Sequence, residues 1–244
     1  MAQEDPKQKS PKGGAAPDVE EPRDALPEIR LEDLPEAHQA AARRAGWSSL
    51  MPVQAKAIPY LSAGRDLMVQ SRTGSGKTGA FLLPILEKVN PRQATCQALV
   101  LVPTRELAHQ VTRDALMLSE GMGVNTVSVY GGAAYGPQLE GLRRGAHLVV
   151  GTPGRILDHL MRGSLQLDHL AILVFDEADR MLSMGFYPDM MQLRSYLPRR
   201  RSGFMFSATF PARVRRLAGQ FLHQPQFLSL SRDRVHVTDT THVY

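Results

Sequence analysis

Two clusters in this chain combine residue types able to hold a phosphate chain and hydrolyse it. The first is Ser71-Arg-Thr-Gly-Ser-Gly-Lys-Thr78, which follows a short apolar run and precedes residues with apolar spacing of a helix. Gly74 and Gly76 let the backbone curl with its N–H groups turned inward, and a helix N-terminus adds partial positive charge. Lys77 would then reach the outer phosphates, and the Thr78 hydroxyl would serve a magnesium ion. The usual glycine at the opening of such a loop is replaced here by Ser71. The second cluster is Asp176-Glu177, at the end of the apolar run Leu170-Ala-Ile-Leu-Val-Phe175. A carboxylate there suits a hydrated metal ion, and its neighbour can orient and deprotonate a water. Asp176 fits the first role and Glu177 the second.

These residues need elements to position them, and the chain supplies a repeated phrase of apolar strand, polar or Gly/Pro turn, and amphipathic helix. Strands are expected over 66–70, 98–102, 124–130, 147–150, 170–175, 204–206 and 226–230. Helices are expected over 34–45, 54–61, 79–89, 105–118 and 135–143, with one more reaching Met161 and another opened by Pro211. Continuous apolar strands alternating with helices predict a mostly parallel central sheet covered on both faces, an α/β fold. Ligands of such sheets bind at the carboxyl ends of the strands, where each polar cluster falls.

Length allows one large domain or two small ones. The net charge of +5 and pI near 9.6 are compatible with a polyanionic partner. Cys96 is the single cysteine, so no internal disulfide can form, which suits a reducing, cytoplasmic setting. No apolar run approaches the length of a membrane span. Residues 1–28, rich in Pro, Lys, Glu and Asp, are expected to be a disordered tail.

In this context the chain resembles the N-terminal RecA-like domain of DEAD-box ATP-dependent RNA helicases. The motifs run in that family's order: Gly46 to Gln54 like the Q motif, Ser71 to Thr78 like motif I, and Pro103-Thr-Arg-Glu-Leu-Ala108 like motif Ia. Gly131-Gly132 matches the glycine doublet, Thr152-Pro-Gly-Arg155 motif Ib, Asp176-Glu-Ala-Asp179 motif II, and Ser207-Ala-Thr209 motif III. The resemblance implies a RecA-like P-loop domain over 29–232, the start of an interdomain linker over 233–244, and ATP and Mg2+ as cofactors.

It also implies roles. Gln54 would read the adenine edge, and Thr73, Gly74, Ser75, Gly76, Lys77 and Thr78 would hold the phosphates. Thr78 and Asp176 would hold the metal and Glu177 the water. Asp179, Ser207 and Thr209 would couple nucleotide to RNA. Pro103, Thr104, Arg105, Gly131, Gly132, Thr152, Gly154 and Arg155 would follow an RNA backbone without reading bases. Three features depart from the family: Ser71 opens motif I, Met51 stands where the Q motif usually has Thr, and no aromatic residue precedes Trp47 to stack on adenine. The motifs of the family's second RecA-like domain, whose arginines complete the ATP site, do not follow Thr209. That domain is therefore an expected partner, and the isolated chain is expected to turn over ATP barely at all. Two other readings are a non-catalytic ATP- and RNA-binding module and a DNA-directed P-loop ATPase.

Overall fold

The computed structural model describes residues 19–230. A 3-10 turn (Leu31–Asp33) leads into α1 (Glu36–Arg44) and α2 (Pro52–Ser62), then β1 (Leu67–Gln70) and α3 (Lys77–Lys88). β2 (Ala98–Leu101), α4 (Arg105–Leu118), β3 (Thr126–Val129), α5 (Tyr135–Arg143), β4 (Leu148–Gly151) and α6 (Pro153–Met161) follow. The chain continues through β5 (Ile172–Phe175), α7 (Ala178–Ser183), α8 (Tyr187–Leu193), β6 (Ser202–Ser207), α9 (Ala212–Phe221) and β7 (Gln226–Ser229).

The strands form one sheet in the order β3-β4-β2-β5-β6-β1-β7, and every ladder in it is parallel. This is the expected α/β, RecA-like arrangement, with helices on both faces. Strand alternation explains the two layers. Val69, Ala98, Val100, Ile172, Val174, Phe204 and Phe206 face a core built with α1, α2, α3 and α4. Leu99, Leu101, Leu173, Phe175 and Met205 face the opposite core, filled from α5, α6, α7, α8 and α9. Because both faces are covered, the central strands show no polar alternation, which is why they read as continuous apolar runs.

Some boundaries move. α3 begins at Lys77, two residues before its expected start, and α2 begins at Pro52, whose fixed φ suits a first helical turn. The pair α7 and α8, filling the gap between motif II and β6, has no counterpart in the expected elements.

The larger difference is at the front. Most of the expected tail, and the whole expected linker over 233–244, lie outside the described residues. The described part of that tail, 19–28, is bound to the domain. Glu20 pairs antiparallel with Ser229 on the edge strand β7, through N–H···O contacts of 3.0 and 2.8 Å. Leu26 N–H donates to the Tyr60 hydroxyl at 3.0 Å. Lys56 pairs with Glu21 and with Glu28, and Arg65 with Asp24 at 3.0 Å. Val19 and Leu26 pack on the core. Polar composition indicates disorder only where nothing distant answers it; here an open strand edge and two cations do. A chain starting at Ile29 is expected to melt about 3–5 °C below one starting at Val19, measured by thermal denaturation, because these contacts go together.

Candidate active site

The carboxyl ends of β1, β5 and β6, neighbours in the sheet, bring the first two clusters together. After β1 the chain turns through Gly74 (φ 79°) and Gly76 (φ 89°), left-handed positions that a side chain would strain. Lys77 then opens α3, is buried, and donates from Nζ to the Ser71 carbonyl at 3.3 Å. Inside the turn, the Ser71 and Ser75 hydroxyls are 2.5 Å apart, and Ser75 donates to Arg72 O at 2.7 Å.

Gln54 reaches the same loop from α2. Its Nε2 donates to Gly76 O at 3.1 Å, and its Oε1 accepts from Met51 N–H at 2.8 Å. One N–H and one acceptor lone pair of the carboxamide remain, a donor–acceptor pair suited to a planar base.

At the end of β5, Asp176 donates its backbone N–H to Leu101 O at 2.9 Å, and its side chain is buried. Oδ1 has no hydrogen-bond partner. Burial raises its pKa to about 6, against the opposing pull of Lys77. A buried, incompletely paired carboxylate beside a phosphate-sized turn fits a hydrated cation. Among the described residues no group of three or more His, Cys, Asp or Glu gathers as a metal cage. A cation here would therefore lean on Asp176, Thr78, water and the ligand's own oxygens, which is the habit of magnesium.

Glu177 is left-handed (φ 56°), a rare conformation for a residue with a side chain, and it forms the N-cap of α7. Strain of this kind is held in place by surrounding structure and clusters at functional sites. Its carboxylate accepts from Arg180 Nη1 at 3.2 Å. Two residues on, Asp179 Oδ2 accepts from Thr209 N–H at 3.2 Å and Thr209 Oγ1 at 2.9 Å, while Asp179 N–H donates to Ser207 Oγ at 3.2 Å. Motifs II and III are thus joined directly. A cavity of about 1000 Å³ runs from Trp47 and Gln54 past Gly76, Lys77 and Thr78 to Asp176, with Thr73 also in its wall. A second, of about 500 Å³, adjoins it at Thr73, Lys77, Glu177 and Arg180 and reaches Thr209.

The other expected residues sit on the other half of the edge, at the ends of β2, β4 and β3. Thr104 caps α4 by accepting Leu107 N–H at 3.2 Å, and the Arg105 guanidinium lies 5.5 Å from the Tyr130 ring centre. Gly131 and Gly132 are exposed, while Pro103 and Thr152 are buried at the root of the edge. Arg155 donates to Ala133 O at 3.4 Å and lies over Tyr135. Gly154 approaches Asp189, which an added Cβ would meet at 3.2 Å.

Two contributors, Gln138 and Tyr135, escaped the sequence reading. Gln138 holds the glycine doublet from behind: Oε1 accepts from Tyr130 N–H at 3.2 Å, and Nε2 donates to Tyr130 O and Ala134 O at 3.1 and 3.3 Å. Nothing distinguishes it in the sequence from any helical glutamine. Tyr135 carries the Arg155 contact and stacks on His159. The left-handed conformation of Glu177, unlike the residue itself, has no sequence signal.

The model of the DEAD/DEAH box helicase family matches residues 51–217. The chain belongs to that family. It is 41% identical over 204 residues to the DEAD-box ATP-dependent RNA helicase CshA of Geobacillus kaustophilus, covering 84% of this chain and 44% of that protein. To the ATP-dependent RNA helicase DeaD of Escherichia coli K12 it is 48% identical over 182 residues, covering 74% of this chain and 29% of that protein. A crystal structure of a DEAD box protein from Methanococcus jannaschii superposes with a TM-score of 0.78 at 35% identity, over 87% of this chain and 57% of that one. The chain therefore spans less than half the length of these curated relatives.

Asp176 is an acid whose folded-state pKa, about 6, lies above its ordinary 3.8. Its ionised form opposes folding fully above about pH 6, and the penalty fades as pH falls towards the ordinary value. Asp176→Asn is accordingly expected to raise stability by about 2 kcal/mol at neutral pH, with the gain shrinking near pH 5. Urea unfolding at the two pH values checks both parts.

Proposed function

We propose that this chain is the nucleotide- and RNA-binding half of an ATP-dependent RNA helicase, coupling ATP binding and hydrolysis to separation of RNA duplexes. The observation that carries the reading is the buried Asp176, with one oxygen unpartnered, in the same cavity as Lys77 and the glycine turn. Gln54 has the free donor–acceptor pair to hold adenine. The backbone of Thr73, Gly74, Ser75 and Gly76 and the Lys77 ammonium hold the phosphates. Thr78 and Asp176 would hold a Mg2+ ion, which would neutralise charge developing on the phosphates. Glu177 orients the attacking water and accepts its proton.

Asp179, tied to Ser207 and Thr209, would pass the state of the nucleotide on to the RNA face. There the backbone donors at Gly131, Gly132 and Gly154, with Pro103, Thr104, Arg105, Thr152 and Arg155, follow phosphates and read no bases. Duplex separation requires closure against a C-terminal RecA-like domain, which the greater length of the relatives supports. Such a motor would work in the cytoplasm; no described helix is long and apolar enough to cross a membrane.

An arginine supplied across such a cleft is worth about 10³ to 10⁵ in rate. ATP hydrolysis by the 244-residue chain is therefore expected to be negligible, with or without single-stranded RNA. It should appear when a C-terminal helicase domain is added, and vanish again in Glu177→Gln. Robust RNA-stimulated turnover by the chain alone would overturn the half-motor reading. Absence of turnover even with the second domain would favour a non-catalytic clamp. Stimulation by DNA as strong as by RNA would point to a different P-loop ATPase.

Arg105→Ala is expected to weaken RNA binding by roughly tenfold on every sequence tested, and to lower the salt slope by about 1. Fluorescence anisotropy on unrelated single strands at two salt concentrations measures both. Loss confined to one sequence would show base reading instead.

A further inference from the structure

Arg105 and Arg155 stand in the first turns of different helices, α4 and α6, yet one loop meets both. That loop, Tyr130-Gly-Gly-Ala-Ala-Tyr135, leaves β3 and places a tyrosine on each side of the glycine doublet. The Arg105 guanidinium lies over the Tyr130 ring, 5.5 Å from its centre, and the Arg155 guanidinium over the Tyr135 ring, also at 5.5 Å. In each helix a histidine four residues on meets the same ring. His109 and Tyr130 are 4.7 Å apart, centre to centre, and His159 stacks on Tyr135 at 4.3 Å with 13° between the planes. Residues four apart share a helix face, so each tyrosine lies along a row of one arginine and one histidine.

Both tyrosines are themselves held. The Tyr135 hydroxyl is 3.2 Å from Ser164 Oγ, which lies 2.8 Å from His159 Nδ1. Gln138 ties down Tyr130 through its backbone N–H and carbonyl. The two guanidiniums, by contrast, use few of their donors. That of Arg105 makes no hydrogen bond or ion pair among the described residues. Arg155 gives one N–H from each terminal nitrogen to Ala133 O at 3.4 Å, which leaves Nε–H and one N–H on each terminal nitrogen. Arg162 also lies over Tyr135, at 5.1 Å, but is tied to Asp158 at 2.8 Å. A cation over a ring face is oriented without using up its donors, because the attraction is to the π quadrupole.

We infer that Tyr130 and Tyr135 are positioning residues, each seating one of the two guanidiniums, so that the glycine-doublet loop sets where both cations meet the RNA backbone. This inference rests on the RNA reading above. It gives the tyrosines a role other than stacking on bases, since their rings are already engaged by arginine and histidine. Ordering a long side chain before RNA arrives removes part of the cost of ordering it on binding.

Fluorescence anisotropy of the 244-residue chain on a single-stranded RNA at low salt tests the pairing. Tyr130→Leu, which keeps apolar bulk and removes the π face, is expected to weaken binding about three- to fivefold, and Tyr135→Leu likewise. Tyr130→Phe and Tyr135→Phe, which keep the face, are expected to bind within about twofold of the wild type. The deciding readout is which losses combine. Tyr130→Leu should add nothing in an Arg105→Ala background and its full factor in an Arg155→Ala background, and Tyr135→Leu should do the reverse. A collapsed loop would also lose Gly131 and Gly132, so the tyrosine loss would persist in both backgrounds and the inference would fall. A loss of about threefold or more in either phenylalanine variant would place the hydroxyl, not the ring, in the contact and overturn the seating, whether or not the leucine variants fold. If Arg105→Ala and Arg155→Ala both bind RNA as the wild type does, the RNA reading of this edge fails, and the inference with it.

Discussion

A buried carboxylate held opposite a buried ammonium, with one oxygen left unpartnered, is the interaction around which this domain is arranged. Left alone, Asp176 would be a defect: its ionised form is penalised by burial, and the attraction of Lys77 does not fully offset that. The sheet keeps it in place regardless. β5 lies between β2 and β6, so its end cannot move without breaking two ladders, and Asp176 N–H extends the β2 ladder by one more bond. The next residue is forced into the left-handed region, turning the chain abruptly into α7. Stability given up here is recovered in two apolar layers that enclose every central strand.

The sheet order also divides the labour of the edge. β1, β6 and β5 carry the glycine turn, Ser207 with Thr209, and the carboxylates; β2, β4 and β3 carry the arginines and exposed glycines. The end of β6 links the pieces of the first group. Ser207 accepts the Ser71 N–H through its carbonyl and the Asp179 N–H through its hydroxyl, so one residue touches both the phosphate turn and α7. Thr209 then closes on the Asp179 carboxylate. The turn, α7 and motif III are thus connected by a short path of hydrogen bonds.

How much of this could be read from the sequence depends on whether the cause is local. Lys77, Thr78, Asp176 and Glu177 stand out because each follows an apolar strand, and a parallel sheet brings strand ends together without any further information. Where a cause is distant, the reading failed. The stretch around Glu20 and Asp24 is polar by any measure, yet Ser229, Lys56 and Arg65 hold it, at positions 35 to over 200 residues away. Gln138 matters because its carboxamide spans two backbone turns, which only folding reveals.

On the proposed reading, one edge of one sheet is an incomplete machine. Thr209 and Arg180 are exposed, so water reaches the mouth of the site. At that dielectric, two unit charges about 4 Å apart interact by about 1 kcal/mol; at a partly dried surface the figure is about 4. Lys77 and Asp176 are already shielded by burial, but Glu177 and Asp179 face the opening. Closing a second surface over them would strengthen each contact to a developing phosphate charge without moving any residue of this chain. It would also bring the RNA half of the edge under the same cover, because both halves are ends of one rigid sheet. On the proposed reading, coupling between nucleotide and RNA is therefore a property of the shared edge: whatever closes on one half must also meet the other.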